Sequence, residues 1–186
     1  MNRFRVKNLP LLGLKLVERK QLGDSRGFIS RLYCSEEFTA AGWHQPIAQI
    51  NQTITQKQGT VRGLHYQVPP YAEMKLVSCL QGAIWDVVVD LRVDSPTFLH
   101  SQAVELSAAN QLSLLIPEGF AHGFQTLTDN CGLIYMHSKE HVSIAEAGLN
   151  VNDPMLGIDW PMEISNISDR DEHHPMIDNL FKGVQL

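Results

Sequence analysis

The sequence has no apolar run of membrane-spanning length, no excess of basic residues and no closely spaced pair of cysteines. A transmembrane helix needs about 20 consecutive apolar residues, and Pro10, Gly13 and charged residues interrupt the most apolar N-terminal stretch. Lysine and arginine number 15 against 20 aspartates and glutamates, whereas nucleic-acid-binding domains usually carry a basic surface. We therefore expect neither a membrane nor a nucleic acid as partner.

The three cysteines, Cys34, Cys79 and Cys131, are odd in number and widely separated. A disulfide framework usually contains an even number of cysteines, and free thiols persist in a reducing cytoplasm. We therefore expect a cytoplasmic protein whose thiols mostly pack in the core. With 186 residues, 44% of them hydrophobic, the chain can bury one good core, which predicts a single domain over residues 1–186.

Short alternating or apolar runs, separated by turn residues, recur along most of the sequence, and this spacing is typical of a sandwich, jelly roll or barrel. The runs are 14–18, 28–33, 48–54, 74–80, 83–91, 101–106, 113–116, 123–127 and 132–137. A weak helical pattern covers residues 35–41, with Ser35 as N-cap and Gly42 as the end, and another lies near residues 177–181. The predicted fold class is all-β with short helical segments at the periphery.

The segment 59–67 carries an arginine and a histidine in strand-like surroundings. Because side chains alternate along a strand, Arg62 and His65 would lie on opposite faces of a regular strand. Gly63 between them is the residue type that a β-bulge needs, and a bulge would turn both side chains toward one cavity. A guanidinium near an imidazole suits a site that binds an anionic substrate and moves a proton near neutral pH.

Polar residues on two further strands mark positions inside such a fold. Gln49 and Asn51 share one face of the strand 48–54, and Lys75 shares a face with apolar residues of the strand 74–80. A lysine in that setting either lies on a solvent-facing side of the sheet or projects into a polar pocket inside a barrel.

The segment 116–124 contains a second group of functional residue types. Pro117 and Gly119 fit a tight turn that joins two strands, and His122 would open the next strand. Together with the pattern around His65, this segment resembles the two half-motifs of the cupin superfamily, whose fold is a jelly roll of the double-stranded β-helix type.

Metal-binding cupins usually carry a His-x-His pair and a glutamate in the first half-motif and a histidine in the second. Gln67 stands where the second histidine of that pair would be. His65, Glu73 and His122 still offer three nitrogen and oxygen ligands, which leaves a metal-dependent cupin enzyme as one alternative. The nearby Lys75 ammonium opposes a divalent cation and therefore favours a site without a metal.

An ordered set of motifs over nearly the whole chain, from about residue 14 to residue 175, resembles the dTDP-4-dehydrorhamnose 3,5-epimerase family. The matching segments are 24–28, 49–51, 61–67, 75–77, 82–87, 90–92, 95–98, 104–107, 116–124, 152–154 and 158–161. Single pieces of this set would carry no information, but their order is specific for the family.

The resemblance implies a role for each matching residue. His65 matches the general base and Tyr135 the general acid, and Asp171 matches the carboxylate that pairs with the base. Without the resemblance, Tyr135 is an ordinary interior aromatic residue. The positions at or near the substrate are Arg26, Gln49, Asn51, Arg62, Lys75, His122, Glu146 and Arg170.

The implied activity is epimerisation at C3 and/or C5 of a nucleotide-linked 4-keto-6-deoxyhexose in deoxysugar and polysaccharide biosynthesis, with no metal and no other cofactor. The resemblance also implies a homodimer whose N-terminal segments cross between subunits. Lys75 is the natural group to stabilise the enolate, because imidazole alone is too weak a base for a hydrogen next to a ketone. The alternatives are an epimerase of C3 or C5 alone, an enzyme for a CDP- or GDP-linked sugar, and a sugar-nucleotide-binding module without catalysis.

Two stretches depart from the family pattern. Arg31 stands where close relatives carry a glutamate, and residues 136–141 replace a Lys-Cys-Thr sequence followed by paired aromatic residues. These departures retain the proton-transfer residues but leave open the nucleotide base and the number of inverted carbons. Four further histidines are expected in surface loops: His137, His141, His173 and His174.

Overall fold

The computed structural model describes residues 3–186 and contains thirteen β-strands and two short α-helices in that range. The strands are β1 (Phe4–Asn8), β2 (Lys15–Arg19), β3 (Gln21–Asp24), β4 (Gly27–Ser30), β5 (Gln49–Thr55), β6 (Val61–Gln67), β7 (Lys75–Gln81), β8 (Ala83–Asp90), β9 (Ser101–Ser107), β10 (Leu112–Ile116), β11 (Phe120–Thr126), β12 (Cys131–His137) and β13 (Glu146–Gly148). The helices are α1 (Ser35–Ala40) and α2 (Asp169–Glu172), and 3₁₀ turns span Ser143–Ala145 and Pro154–Leu156. The predicted all-β class with peripheral helical segments is confirmed.

Most of the strands form two antiparallel sheets. One sheet has six strands in the order β1-β2-β10-β7-β12-β5, and the other has five in the order β13-β6-β11-β8-β9. Strands β3 and β4 form a separate hairpin. Consecutive strands such as β6 and β7 lie in different sheets, so the chain crosses repeatedly between the layers, as in a jelly roll.

Apolar side chains from both sheets meet in a core between them. Ile84 and Val88 of β8 and Phe124 of β11 pack with Leu114 of β10 and Leu133 of β12. All five are almost completely buried. This packing follows from the strand alternation, which directs every second residue to the inner face of its sheet.

The outer faces of the sheets are covered as well. Phe38 of α1 packs on Leu76 of β7, and Val87 of β8 packs with Val151 and Val184 of the C-terminal segment. Strand β8 is therefore buried on both faces, which explains its nearly continuous run of β-branched residues. Among residues 3–186, no helix has the length and hydropathy needed to span a bilayer.

Strand β6 contains the bulge that the sequence predicts at Gly63. His122 of β11 pairs with His65, whereas Phe124 pairs with Arg62, so a step of three residues on β6 matches a step of two on β11. Gly63 has a φ of +131°, and a Cβ at this position would lie 2.5 Å from a Cα atom of β11. Glycine therefore permits both the backbone conformation and the close approach of the strands.

The helical predictions are only partly right. Helix α1 has Cys34 as its N-cap, so the predicted N-cap at Ser35 is wrong, whereas Gly42 follows the helix as predicted with a φ of +102°. Residues 177–181 form no helix, because the Asp178 carboxylate accepts the backbone N–H groups of Leu180 and Phe181. Such side-chain bonds compete with helical ones.

Three strands have no sequence pattern that predicts them. Strands β1 and β3 are largely exposed and mix charged with apolar residues, and β13 has only three residues. The prediction that the thiols mostly pack in the core is confirmed, since Cys79 and Cys131 are buried and Cys34 is partly buried.

Gly63→Ala should lower the free energy of unfolding by about 3 kcal/mol, since the new Cβ combines a positive φ with contact to the β11 backbone. Gly27→Ala is the matched control, because Gly27 has a φ of +130° and nothing within 4 Å of an added Cβ. This control should cost only about 1–2 kcal/mol. Urea unfolding measures both values, and equal losses would contradict the proposed reason for glycine in the bulge.

Candidate active site

A cavity of about 640 Å³ lies between the two sheets. Strands β5, β7 and β12 contribute to one wall, and β6, β11 and β13 contribute to the other together with α2. The predicted site residues that line the cavity are Asn51, Arg62, Lys75, His65, His122, Tyr135, Glu146, Arg170 and Asp171. The bulge at Gly63 therefore has the predicted consequence, since it brings Arg62 and His65 to one cavity.

The imidazole of His65 is bonded to the carboxylate of Asp171. Nε2 of His65 lies 2.8 Å from Oδ1 of Asp171, and the backbone N–H of Gly63 donates to Oδ2 at 3.0 Å. Burial alone would raise the pKa of Asp171, but the hydrogen bonds from His65 and Gly63 outweigh it and lower the pKa to about 2. An ionised carboxylate only accepts, so Nε2 carries the proton and Nδ1 keeps the lone pair.

A helix N-cap holds Asp171 in position. Ser168 precedes α2, and its hydroxyl accepts the backbone N–H of Asp171 at 3.1 Å. The Ser168 side chain thus acts as an N-cap, while the Asp171 carboxylate stays available to His65 and Gly63. The cap sets the start of the four-residue helix α2, and Asp171, the third residue of that helix, contacts β6.

Arg170 and Glu146 form an ion pair beside the same imidazole. Nη1 of Arg170 lies 3.1 Å from the Glu146 carboxylate, which also accepts from His141 at 3.3 Å. Burial would raise the pKa of Glu146, but the His141 hydrogen bond and the Arg170 charge lower it. The predicted positions Glu146 and Arg170 are therefore adjacent and form an ion pair.

Tyr135 lies on β12, in the sheet opposite His65. Its ring packs against His122, with a centroid distance of 6.0 Å and an interplanar angle of 71°. Burial raises the pKa of Tyr135, and the negative charge of Asp86 raises it further. The phenol therefore keeps its proton at neutral pH and can act only as a donor or a neutral acceptor there.

His122 is paired with a buried carboxylate that sequence reasoning missed. Nε2 of His122 lies 2.9 Å from Oδ2 of Asp86, which is completely buried. Burial raises the pKa of Asp86, and the neighbouring His122 opposes that rise. A carboxylate in the middle of the apolar run of β8 is the signal that would have identified this residue.

Lys75 projects into the cavity, which confirms the pocket alternative. Its Nζ lies 3.0 Å from Oε1 of Glu73 and donates to the backbone oxygen of His65 at 3.4 Å. Both side chains of the ion pair are nearly buried. The ammonium therefore reaches from β7 to the backbone of β6 in the opposite sheet, and β7 lies next to β12, which carries Tyr135.

Gln67 joins several segments around this ion pair. Its amide nitrogen donates to Glu73 and to the backbone oxygens of Tyr71 and Glu140, and its amide oxygen accepts the backbone N–H of Val142 at 2.6 Å. The residue that replaces the second histidine of a metal-binding cupin therefore holds the loop after β12 against β6.

The ligand set of the metal-dependent alternative does not come together. Glu73 pairs with Lys75, and His122 pairs with Asp86. In the described part of the chain, the potential ligands within 4.8 Å of one another belong to His65, Asp171 and His174. Nη2 of Arg170 lies 3.1 Å from Nε2 of His65. The positive charge of this guanidinium opposes the binding of a metal cation there. The alternative ligand set of His65, Glu73 and His122 is therefore not among the groups of close ligand atoms in the described residues.

Two predicted substrate positions lie outside the cavity lining. Gln49 donates to Asn51 at 3.2 Å and accepts the backbone N–H of His141 at 3.0 Å, so it supports residues that do line the cavity. Arg26 is exposed on the β3–β4 hairpin and pairs with Asp24 at 2.6 Å. Arg26 therefore lies outside the cavity of its own protomer, and its place near the substrate stays a prediction.

The structure also shows where Arg31 and the four remaining histidines lie. Arg31 forms an ion pair with Glu37 of α1 at 2.9 Å. The prediction of surface loops is wrong for His137, which belongs to β12 and lines the cavity. It is also wrong for His174, whose side chain is largely buried and whose Nε2 lies 3.7 Å from Oδ1 of Asp171. His141 is exposed but lines the cavity, and His173 is exposed as predicted.

Comparisons with known proteins show the family of the chain. Residues 8–179 match the family model described as dTDP-4-dehydrorhamnose 3,5-epimerase. The enzyme of that name from Shigella flexneri is 41% identical over 157 residues, covering 84% of this chain and 86% of the relative. A dTDP-4-dehydrorhamnose 3-epimerase from Streptomyces niveus is 34% identical over 170 residues, covering 91% and 82%.

The solved structures agree as well. The dTDP-6-deoxy-D-glucose-3,5-epimerase of Legionella pneumophila, determined in complex with dTDP-4-keto-L-rhamnose, superposes with a TM-score of 0.92 at 32% identity and covers 98% of both chains. The chain belongs to the dTDP-4-dehydrorhamnose 3,5-epimerase family.

Proposed function

We propose that the protein inverts C3 and C5, the carbons on either side of the C4 ketone, in a dTDP-linked 4-keto-6-deoxyhexose. The observation that carries this proposal is the placement of His65 with Asp171 and of Tyr135 in opposite sheets around one cavity. A base on one wall and an acid on the other are what inversion of a carbon through an enolate requires.

His65 removes the proton in this mechanism. The C–H electron pair forms the carbon–carbon double bond of the enolate, the carbonyl π pair moves to O4, and the proton passes to Nδ1 of His65. Asp171 stabilises the imidazolium that forms, as the aspartate does in hydrolase triads. Lys75 donates to the developing charge on O4, which lowers the barrier because the ammonium is already fixed by Glu73.

Tyr135 returns a proton to the opposite face of the same carbon. Its raised pKa keeps the phenol protonated until the enolate forms, and it also makes the phenol a weaker acid, so the transfer relies on the basicity of the enolate carbon. The enolate can be formed toward C3 or toward C5 from the same ketone. One base, one acid and one enolate donor therefore serve both carbons, and these side chains need no further group.

The charged residues around the base suit the nucleotide end of the substrate. Arg62 and Arg170 present guanidinium groups to the cavity, and guanidinium binds phosphate oxygens through paired hydrogen bonds. Arg170 is held by Glu146 at 3.1 Å, so a diphosphate would compete with that carboxylate. Asn51 on one wall and His122 on the other offer further side-chain nitrogen atoms for hydrogen bonds.

We also propose that the protein acts as a cytoplasmic homodimer. The β3–β4 hairpin belongs to neither sheet, and its Phe28 and Ile29 are 65% and 71% exposed. An isolated two-stranded hairpin is marginal in water, so packing on a second copy would stabilise it and would carry Arg26 toward the partner's cavity. The three free thiols support a reducing compartment.

The activity is tested by NMR of the purified protein with dTDP-, CDP- and GDP-linked 4-keto-6-deoxyglucose in D₂O. We expect deuterium at both C3 and C5 and the fastest incorporation with the dTDP form. Deuterium at one carbon alone would support the single-centre alternative instead. Binding without exchange would contradict the enzyme and support a binding module.

The division of labour is tested with two variants in the same assay. His65→Asn should abolish both exchange and inversion, because no enolate forms without the base. Tyr135→Phe should retain exchange through His65 while inversion falls on the order of 10²–10⁴-fold, the usual contribution of one acid–base group. Unimpaired inversion by Tyr135→Phe would show that the acid is misassigned.

The oligomeric state is tested by size-exclusion chromatography with light scattering at micromolar protein concentration. We expect the mass of two chains, and Phe28→Ser with Ile29→Ser should shift the protein toward the monomer, because both apolar side chains would lose their cover. A wild-type monomer would overturn the proposed dimer.

A further inference from the structure

His137 stands on the cavity wall next to the groups of the proposed reaction. It lies two residues after Tyr135 on β12, so both side chains share the inner face of the sheet. In the register of the sheet, His137 pairs with Lys75 of β7 on one side and with Gln49 of β5 on the other. Cross-strand partners have Cβ atoms about 5 Å apart, which places this imidazole beside the Lys75 ammonium.

The imidazole of His137 differs from the other histidines of the cavity in having no protein partner. His65 is bonded to Asp171, His122 to Asp86 and His141 to Glu146. Among the described residues, Nε2 of His137 is shielded from solvent and makes no hydrogen bond. A buried polar atom without a partner costs free energy, so a ligand in the cavity would supply what the protein does not.

The surroundings of His137 keep it uncharged. Burial lowers its pKa to about 4, and the positive charge of Lys75 acts in the same direction, as do His122 and His141. A neutral imidazole is a useful donor to an enolate, since it adds no second charge beside the ammonium and can hold the negative oxygen through its N–H.

We propose that the imidazole of His137 donates a hydrogen bond to the C4 oxygen of the hexose, beside Lys75, while the ketone becomes an enolate. The inference rests on the proposed epimerase activity and adds a second donor to it. The donated hydrogen stays on the ring, so no bond of His137 forms or breaks. Because one enolate oxygen serves both carbons, His137 assists C3 and C5 alike.

A structural role for His137 would give a different result. Its ring lies nearly parallel to that of Tyr135, with a centroid distance of 6.1 Å and an angle of 21°. A residue that only supports the Tyr135 ring would affect the return of the proton and leave its removal intact. Measuring deuterium exchange and inversion separately therefore distinguishes a donor to the enolate from a support for the acid.

The test compares His137→Val and His137→Gln with the exposed control His44→Val. His137→Val should lower kcat for exchange at C3 and at C5 by the same factor, on the order of 10²-fold as for the loss of one oxyanion donor, with little change in KM. His137→Gln keeps a neutral donor and should recover at least about tenfold of that loss. His44→Val should match the wild type.

Three outcomes would overturn the inference. The first is that His137→Val exchanges deuterium at the wild-type rate. The second is that His137→Val exchanges normally but inverts the carbons more slowly. The third is that His137→Gln recovers none of the lost exchange. An inactive wild type would refute the proposed function itself.

Thermal midpoints and dTDP affinity check that the variants fold. If they do not, ¹⁵N NMR of the histidines in the wild type decides, since the Nε2 resonance of His137 should move with the 4-keto sugar nucleotide and not with dTDP alone.

Discussion

The carboxylate of Asp171 is the group on which the organisation of this site depends. One of its oxygens binds His65 at 2.8 Å, and the other accepts the N–H of Gly63 in the bulge at 3.0 Å. The same residue is fixed by the Ser168 cap of α2. A single ionised group therefore connects His65, the irregular part of β6 and the C-terminal segment, and it determines which nitrogen of His65 is free to accept a proton.

The two sheets divide the chemistry between them. The five-stranded sheet carries His65, whereas the six-stranded sheet carries Tyr135, Lys75 and His137 on adjacent strands. A planar enolate between the sheets would present one face to the base and the other to the acid. The charges are also separated, because Glu73 holds the Lys75 ammonium and Glu146 holds the Arg170 guanidinium. This separation lets one cavity accept a dianionic nucleotide end and stabilise a transient negative charge at the sugar.

Local patterns in the sequence predicted the parts of this arrangement that depend on strand alternation. Gly63 indicated the bulge that brings Arg62 to the side of His65, and the apolar neighbours of Lys75 left the pocket as one of two settings. Contacts between distant segments had no such pattern. The pairing of His122 with Asp86 and the burial of His137 depend on the register of strands far apart in sequence. The exposed place of Arg26 likewise depends on a hairpin outside both sheets.

The central claim is that two residues on opposite walls move two different protons at one carbon. It is tested most directly with a dTDP-4-keto-6-deoxyhexose carrying deuterium at C3 and C5, converted in H₂O for a single turnover and analysed by NMR. The account predicts that every inverted carbon carries hydrogen from the solvent, because the deuterium leaves on His65 and the new proton comes from Tyr135. Substantial deuterium at an inverted carbon would contradict it, since the same group would then have removed and returned the label.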